Sequence, residues 1–481
     1  MSAPSFLHQY ASLPGHFSES VTPAKAPSPE LIRINESLAT ELGLDLEWLR
    51  SDEGLAMLSG SGVPEGAKPV AQAYAGHQFG GWVPQLGDGR AILLGEVTHE
   101  DGSLRDLQLK GSGRTPFSRG GDGKSPLGPV LREYLVSEAM AALRVPTTRA
   151  LAAVATGETV YRDEALPGAV FTRVASSHVR VGTFQFFYAR EDVAGLRTLV
   201  EFVIDRHYPE LKESENRGEE LLKAVIRRQA SLIAKWMQLG FIHGVMNTDN
   251  MTVSGETIDF GPCAFMDEFH PETVFSSIDR QGRYAWINQP VAGNWNLARF
   301  AETLLPLLAE DRDEAVTIAE RCLHEFEAIF NEAYFNGFAD KLGLSWEAEL
   351  TRPFIEKTLG LMAESRVDFT VFFQALTVFC QKGISPALPE SEDWKSWLAE
   401  WQESRIESAD VLARMKFSNP VLIPRNHRVE EAIQAGIKGD FTIFHRLVEA
   451  LANPYEDREE FADLKLPPAS SERVTATFCG T

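Results

Sequence analysis

The 481-residue chain is poor in cysteine, with four residues at 263, 322, 380 and 479 and none in C-x-x-C spacing. That excludes a dense disulfide framework and fits a reducing compartment. Long hydrophobic runs are missing as well. No window approaches about 18 consecutive apolar residues, and a stretch such as Val371–Cys380 is one buried helix long, so no membrane-spanning helix is expected. The N-terminal MSAPSFLHQYASLPGHF has no basic or apolar leader region and no arginine-rich character, so a cytoplasmic location is expected. Positive charge is scarce: 46 Lys and Arg stand against 68 Asp and Glu, a net charge of −22. Such a chain repels nucleic acid and anionic membranes, and neither is expected as a partner. Repeats and low-complexity tracts are absent. What remains is a globular mixture, 44% hydrophobic and 24% charged, long enough for two or three domains or one two-lobed unit with additions.

Residues 1–70 are rich in Pro and Ser. Ser28-Pro29-Glu30 reads as a helix start, followed by Leu31, Ile34, Leu38 and Leu42 at helical spacing. Residues 80–110 read as a β-meander: Trp82–Leu86, a turn at Gly87-Asp88-Gly89-Arg90, Ala91–Val97, a second turn, then Leu104–Lys110. Ten glycines fall between 87 and 128, where the chain average predicts about three. Backbone there must turn tightly or approach a ligand. A helix is expected over 127–144, ended by Val145-Pro146, with short strands at 150–154 and 169–174. From about 195 the pattern is helical, including 219–240 with a glycine stop. A hairpin over Met251–Asp259, turning at Ser254-Gly255, interrupts it. The order predicts an α+β fold with a β-rich N-terminal lobe and a large helical C-terminal lobe.

Four features carry chemistry. Gly87 and Gly89, beside Arg90, would let backbone N–H groups approach phosphates, although Asp-Gly also marks a plain hairpin. Lys110 closes an apolar strand and could hold phosphates as a point charge. Glu133 or Glu138 on the next helix could pair with it. Glu138 falls on the apolar stripe and Glu133 about 160° from Leu131, and periodicity does not choose between them. The fourth feature is His243-Gly244-Val245-Met246-Asn247-Thr248-Asp249-Asn250, followed by Asp259-Phe260-Gly261. Protein kinases carry H-R-D-x-x-x-x-N followed by D-F-G, whose Asn and Asp hold magnesium. His243 and Asn250 keep that spacing. Val245 stands at the kinase aspartate position and cannot accept a proton, which makes Asp249 the substitute base. Residues 104–132 hold six bases and two acids, a local balance of +4 that leaves −26 elsewhere. The basic island coincides with the glycine-rich segment, so an anionic ligand fits there.

At this point the chain resembles the selenoprotein O (YdiU) family of protein adenylyltransferases with a pseudokinase fold. The resemblance rests on 73–96 (AYAGHQFGGWVPQLGDGRAILLGE), 109–123 (LKGSGRTPFSRGGDG), 172–182 (TRVASSHVRVG), 240–251, 258–267, 279–286 and 419–427. It implies a kinase-like two-lobed fold: an arm over 1–70, an N-lobe over 71–195, a helical C-lobe over 196–420, and a helical extension with a flexible redox tail over 421–481. It also implies ATP bound in a flipped orientation with Mg2+ or Mn2+, and transfer of AMP to Ser, Thr or Tyr of proteins. Proteins of redox homeostasis are among the partners it suggests, and a monomer is expected. By matching positions, Gly87, Gly89, Arg90, Lys110, Asp122, Gly123, Arg173, Arg180 and Asp259 contact the nucleotide. Asn250 and Asp259 hold metal, Asp249 accepts the proton, and Glu133 partners Lys110, with Glu138 second. Members often end in a Cys-x-x-Sec or Cys-x-x-Cys pair. Here Ala476 replaces the first cysteine and Cys479 remains. The competing readings are a non-catalytic nucleotide-binding scaffold and an atypical protein kinase.

Overall fold

Apolar stretches covered on both faces build the N-terminal part of the computed structural model, which describes residues 2–478. In chain order the strands are β1 (Ser18–Ser20), β2 (Glu30–Ile34), β3 (Val70–Gln72), β4 (Gly76–Gln78), β5 (Gly81–Val83), β6 (Ala91–Thr98), β7 (Leu104–Lys110), β8 (Ser125–Pro126), β9 (Arg149–Tyr161) and β10 (Ala165–Ala175). Eight of them form one antiparallel sheet in the order β1-β3-β6-β7-β10-β9-β2, with β8 on β10. The pair β4–β5 is a separate hairpin. β11 (Phe241–Ile242) and β12 (Ala264–Phe265) pair with each other farther along.

Three short helices, α1 (Glu36–Glu41), α2 (Leu46–Leu49) and α3 (Asp52–Ser59), cover one face of the sheet. Leu38, Trp48 and Leu58 pack there on Leu107, Leu109 and Val170. α4 (Leu127–Ala142) crosses the other face and places Leu131, Tyr134 and Leu135 on Ala153 and Phe171. The rest is helical: α5 (Val181–Tyr188), α6 (Val193–His207), α7 (Arg217–Gln238), α8 (Gln289–Leu308), α9 (Arg312–Leu342), α10 (Ala348–Ser365), α11 (Phe369–Lys382), α12 (Glu392–Ser404), α13 (Ala409–Ser418), α14 (Asn426–Ile437) and α15 (Thr442–Leu451). α7 starts at the Asn216 side chain, which accepts from the Glu219 N–H at 3.1 Å, and stops before Gly240 at φ +68°. α14 and α15 return to α4 and bury Ile433, Phe444 and Leu447 against it.

The mixture of sheet and many helices agrees with the sequence reading, but three local expectations do not hold. The helix expected from residue 28 begins only at Glu36, because Ile32 and Ile34 are buried in alternation and make 30–34 a strand; Asn35 then caps the helix. Trp82–Leu86 is not a neighbour of β6; only Gly81–Val83 is extended, and it pairs with β4. The hairpin over 251–259 is a turn at Gly255 with single bridges, Thr252 to Arg180 and Thr257 to Thr147. The strands expected at 150–154 and 169–174 exist and are longer. Thr477 is buried beside 275–277, its N–H donating to Phe275 O at 2.7 Å and its carbonyl accepting from Ser277 N at 3.1 Å. Cys479 lies outside the described residues.

Candidate active site

Alternation along β7 turns Leu107 and Leu109 to the α1–α3 side and Gln108 and Lys110 to the α4 side. Lys110 faces Ala91 on one neighbour and Phe171 on the other, so it is held inside the sheet. Its Nζ lies 2.7 Å from Glu133 Oε2 and 2.6 Å from Asp259 Oδ1. Arg173 is the β10 register partner of Gln108, and its Nε and Nη2 donate to Gln108 Oε1 at 3.2 and 2.7 Å. Its Nη1 reaches Asp259 Oδ1 at 2.8 Å and Glu133 Oε1 at 3.2 Å. Arg180 precedes α5, with Nη1 3.6 Å from Asp88 Oδ1 and Nη2 3.9 Å from Asp259 Oδ2, and its guanidinium lies over the Tyr74 ring. Three cations thus face three carboxylates in a buried cluster. Burial works against the Asp259 charge, but Lys110, Arg173 and Arg180 outweigh it and hold that carboxyl well below the usual range. Asp259 itself sits at φ +64°, a left-handed conformation that a non-glycine residue adopts at a cost of about 1–2 kcal/mol.

The loop after β11 forms the other wall. His243 is buried, stacked on Trp236, with Nε2 2.9 Å from Ile258 O. Asn250 donates Nδ2 to Val245 O at 3.1 Å. The β4–β5 hairpin lies on this loop: His77 N donates to Thr248 Oγ1 at 2.7 Å, Phe79 N to Asn247 Oδ1 at 2.9 Å, and Gln78 Nε2 to Asp249 Oδ2 at 3.1 Å. A Cβ at Gly76 would stand 2.8 Å from Asp249 Oδ1, an oxygen that is buried with no hydrogen-bond partner among the described residues. Burial pushes the Asp249 carboxyl up to about 6, against the Gln78 hydrogen bond and the charge of Arg180. Val245 is buried.

The structure therefore brings Lys110, Glu133, Arg173, Arg180 and Asp259 together, with Asp249 and Asn250 on the facing loop. Glu138 points elsewhere: it accepts from Arg149 Nε and Nη2 at 2.9 Å each, from Ala150 N and from Asn35. Gly87 and Gly89 are in a connection, not a hairpin turn. A Cβ on Gly87 would strike Phe117 at 2.3 Å, and one on Gly89 would meet Phe117 O at 2.9 Å, so both let the 84–90 segment pack on the 111–123 loop. The carbonyl of Arg90 accepts from Gly111 N at 2.7 Å. Asp122 is turned to Arg162, which donates Nη1 and Nη2 at 2.9 Å each, and Gly123 closes the loop base against Gly113 O. Sequence reading passed over Gln78, Asp88 and Gln108. Their only signal is a polar residue inside an apolar stretch or glycine segment, which an exposed position gives equally well.

A family model described as protein adenylyltransferase SelO matches residues 2–452. A protein nucleotidyltransferase YdiU of Rhizobium leguminosarum bv. trifolii is 55% identical over 489 residues, covering 99% of this chain and 97% of its own length. Those of Rhizobium meliloti and Agrobacterium fabrum are 54% and 53% identical, with 100% and 99% of each chain covered.

Proposed function

The chain belongs to the protein adenylyltransferase SelO family, a family of protein nucleotidyltransferases, and from that premise we propose that it moves AMP from ATP to Ser, Thr or Tyr hydroxyls of proteins. The observation that carries this reading is the convergence of Lys110, Glu133, Arg173 and Asp259 from four separate segments. The sheet-bearing part and the helical part are read as two kinase-like lobes with ATP between them, its α-phosphate toward Asp249. Lys110, Arg173 and Arg180 then face the β- and γ-phosphates, where leaving-group charge develops.

Asn250 and Asp259 are the residues that would hold Mg2+ or Mn2+. Both offer hard oxygen donors, and the Asn250 amide nitrogen is already engaged by Val245 O. Among the described residues no three His, Cys, Asp or Glu side chains form a cage of their own. Two protein donors completed by substrate phosphates is the arrangement such an ion accepts. When bound, the ion neutralises charge on phosphate oxygens. Asp259, now paired with Lys110 and Arg173, would then be shared with the ion, and both cations would be available to phosphate oxygens.

In the transfer, the acceptor oxygen bonds to the α-phosphorus and the bond from that phosphorus to the bridging oxygen breaks. The electron pair leaves with pyrophosphate. The hydroxyl proton goes to Asp249, whose carboxyl, near 6, is ionised at neutral pH. Gln78 holds the other oxygen of that carboxylate in place. A buried valine at 245 supports this reading over γ-phosphoryl transfer. The test is labelled ATP: the α-phosphate label is expected on protein and the γ-label is not, and Asp259→Ala removes the labelling. Transfer of the γ-label would make the chain a kinase and overturn the proposal.

A further inference from the structure

Beside the proposed acceptor end of the site lies an exposed surface that the cluster chemistry does not use. Trp82 of the β5 strand is 42% exposed and packs on His77, ring centroids 4.9 Å apart. His77 in turn meets Trp295 of α8 edge-on at 5.2 Å. Arg283 and Arg299 both lie over the Trp295 ring, at 4.8 and 5.2 Å from its centroid. One turn before Trp295 on the same face of α8 stands Val291, 70% exposed. This is a layer of aromatic and aliphatic surface with two guanidinium groups stacked on its Trp295 end. It is continuous with Asp249 through the hairpin: the residue after His77 is Gln78, which holds that carboxylate.

The two cations of this surface are unequally paired. Of the two arginines only Arg299 has an ion-pair partner among the described residues, Glu302 at 2.7 Å within its own helix. Arg283 Nε has no hydrogen-bond partner among them. The ring of His77 is held below its ordinary range by burial first, and every charge acting on it, Arg299 and Arg283, is positive. In a chain of net charge −22, such a patch opposes the general field and selects what comes near it. Trp82 is exposed and Trp295 half-buried, and tryptophan and arginine are the side chains that dominate protein interfaces.

We infer that the surface formed by Trp82, Trp295, Arg283 and Arg299 docks the acceptor protein, and that it favours acceptor segments with carboxylates next to the hydroxyl to be modified. The inference rests on the adenylyl-transfer reading only for what happens after docking. A segment lying across Trp82 and Trp295 presents its hydroxyl over the hairpin at Asp249. Its acidic neighbours meet the two guanidinium groups.

Docking and chemistry are measured separately. Fluorescence anisotropy is recorded for two labelled peptides, one with a serine flanked by aspartates and one with the same serine flanked by lysines, at low salt. The acidic peptide is expected to bind about tenfold more tightly, an advantage that shrinks as salt is raised. Arg283→Glu is expected to remove that preference and Arg283→Glu/Arg299→Glu to reverse it toward the lysine peptide, which a merely unfolded variant does not do. Trp82→Ala, at an exposed position, is expected to weaken both peptides alike. Equal binding of the two peptides, or a preference unchanged in the double variant, overturns the docking inference even where α-label transfer is observed. Conversely, acid-selective docking without α-label transfer leaves this inference standing and overturns the proposed reaction. In steady-state labelling of the peptides the Arg283→Glu effect is expected in KM for the acidic peptide.

Discussion

Glu133 and Glu138 lie five residues apart on α4, and both are turned inward for different reasons. Glu133 closes the ion cluster on Lys110 and Arg173, whereas Glu138 anchors Arg149, the Ala150 N–H and the arm residue Asn35. Removing one partner of a buried ion pair leaves the other uncompensated. Glu133→Gln is therefore expected to weaken ATP binding by at least about tenfold. Glu138→Gln is expected to cost about 1–3 kcal/mol of stability with ATP affinity little changed. Calorimetric ATP titration and urea unfolding of the two variants check this, and an ATP affinity that falls equally in both would refute it. The choice between these acids was not legible in the sequence. A one-stripe helix pattern assumes one buried face, but α4 is covered by the sheet on one side and by α14 and α15 on another. Arg132, beside Glu133, is also buried, donating to Gly261 O and Cys263 O at 3.0 and 2.9 Å. By contrast, His243, Asn250 and Asp259 could be read at once, because their spacing is fixed within one short loop.

At the scale of elements, β6, β7, α4 and α7 were legible, because each combines a clear period with a clear stop. The 30–34 strand was not, since Leu31, Ile34 and Leu38 satisfy a helical period while Ile32 and Ile34 satisfy a strand's. Nor was the β4–β5 hairpin, whose partner is a loop and not a sheet. Its contacts with α5 and with the loop carrying Asp249 explain two glycines that no local turn requires. A Cβ on Gly182 would stand 2.2 Å from Ala75 O, and that on Gly76 meets Asp249. The first obstacle is backbone, tied further by the Ala75 N–H donating to Gly182 O at 2.9 Å, so it cannot rotate away. Gly182→Ala is expected to destabilise by about 1–3 kcal/mol and to lower AMP transfer, because the hairpin lifts from Asp249. Gly360→Ala in α10, with nothing within 4 Å of its added Cβ, is expected to stabilise by up to about 1 kcal/mol. Denaturant midpoints of the pair test the contrast, and a Gly182→Ala variant as stable as the parent would show that the hairpin does not bear on α5.

For the whole molecule, net charge conceals how the interior is charged. Burial first, and neighbouring arginines after it, keep two histidines neutral. Burial first, then Arg173 and Arg180, hold the His178 ring well below its usual range; burial, then Arg206, Arg228 and Arg105, do the same for His207. A histidine depressed in the folded state binds its proton only in the unfolded chain. Its contribution to stability is complete above the unfolded value of 6.5 and is lost as pH falls below it. Asp106 and Glu96 act in the opposite sense, since burial raises both carboxyls, so native protein takes up their protons first and gains stability on acidification. The total pH profile mixes the two signs, and a difference between variants separates them. His207 is the cleaner position, because its ring contacts Ser177 Oγ at 2.7 Å, whereas His178 lies on Asp106 itself. Gln at 207 keeps a polar side chain and removes the titration. The stability of the parent relative to His207→Gln is expected to fall by about 1 kcal/mol between about pH 7.5 and about pH 5.5. Urea unfolding of both proteins at the two pH values measures it. A gap that stays constant, or widens toward acid, would mean that His207 is charged in the folded protein and that burial and the surrounding arginines do not set its state.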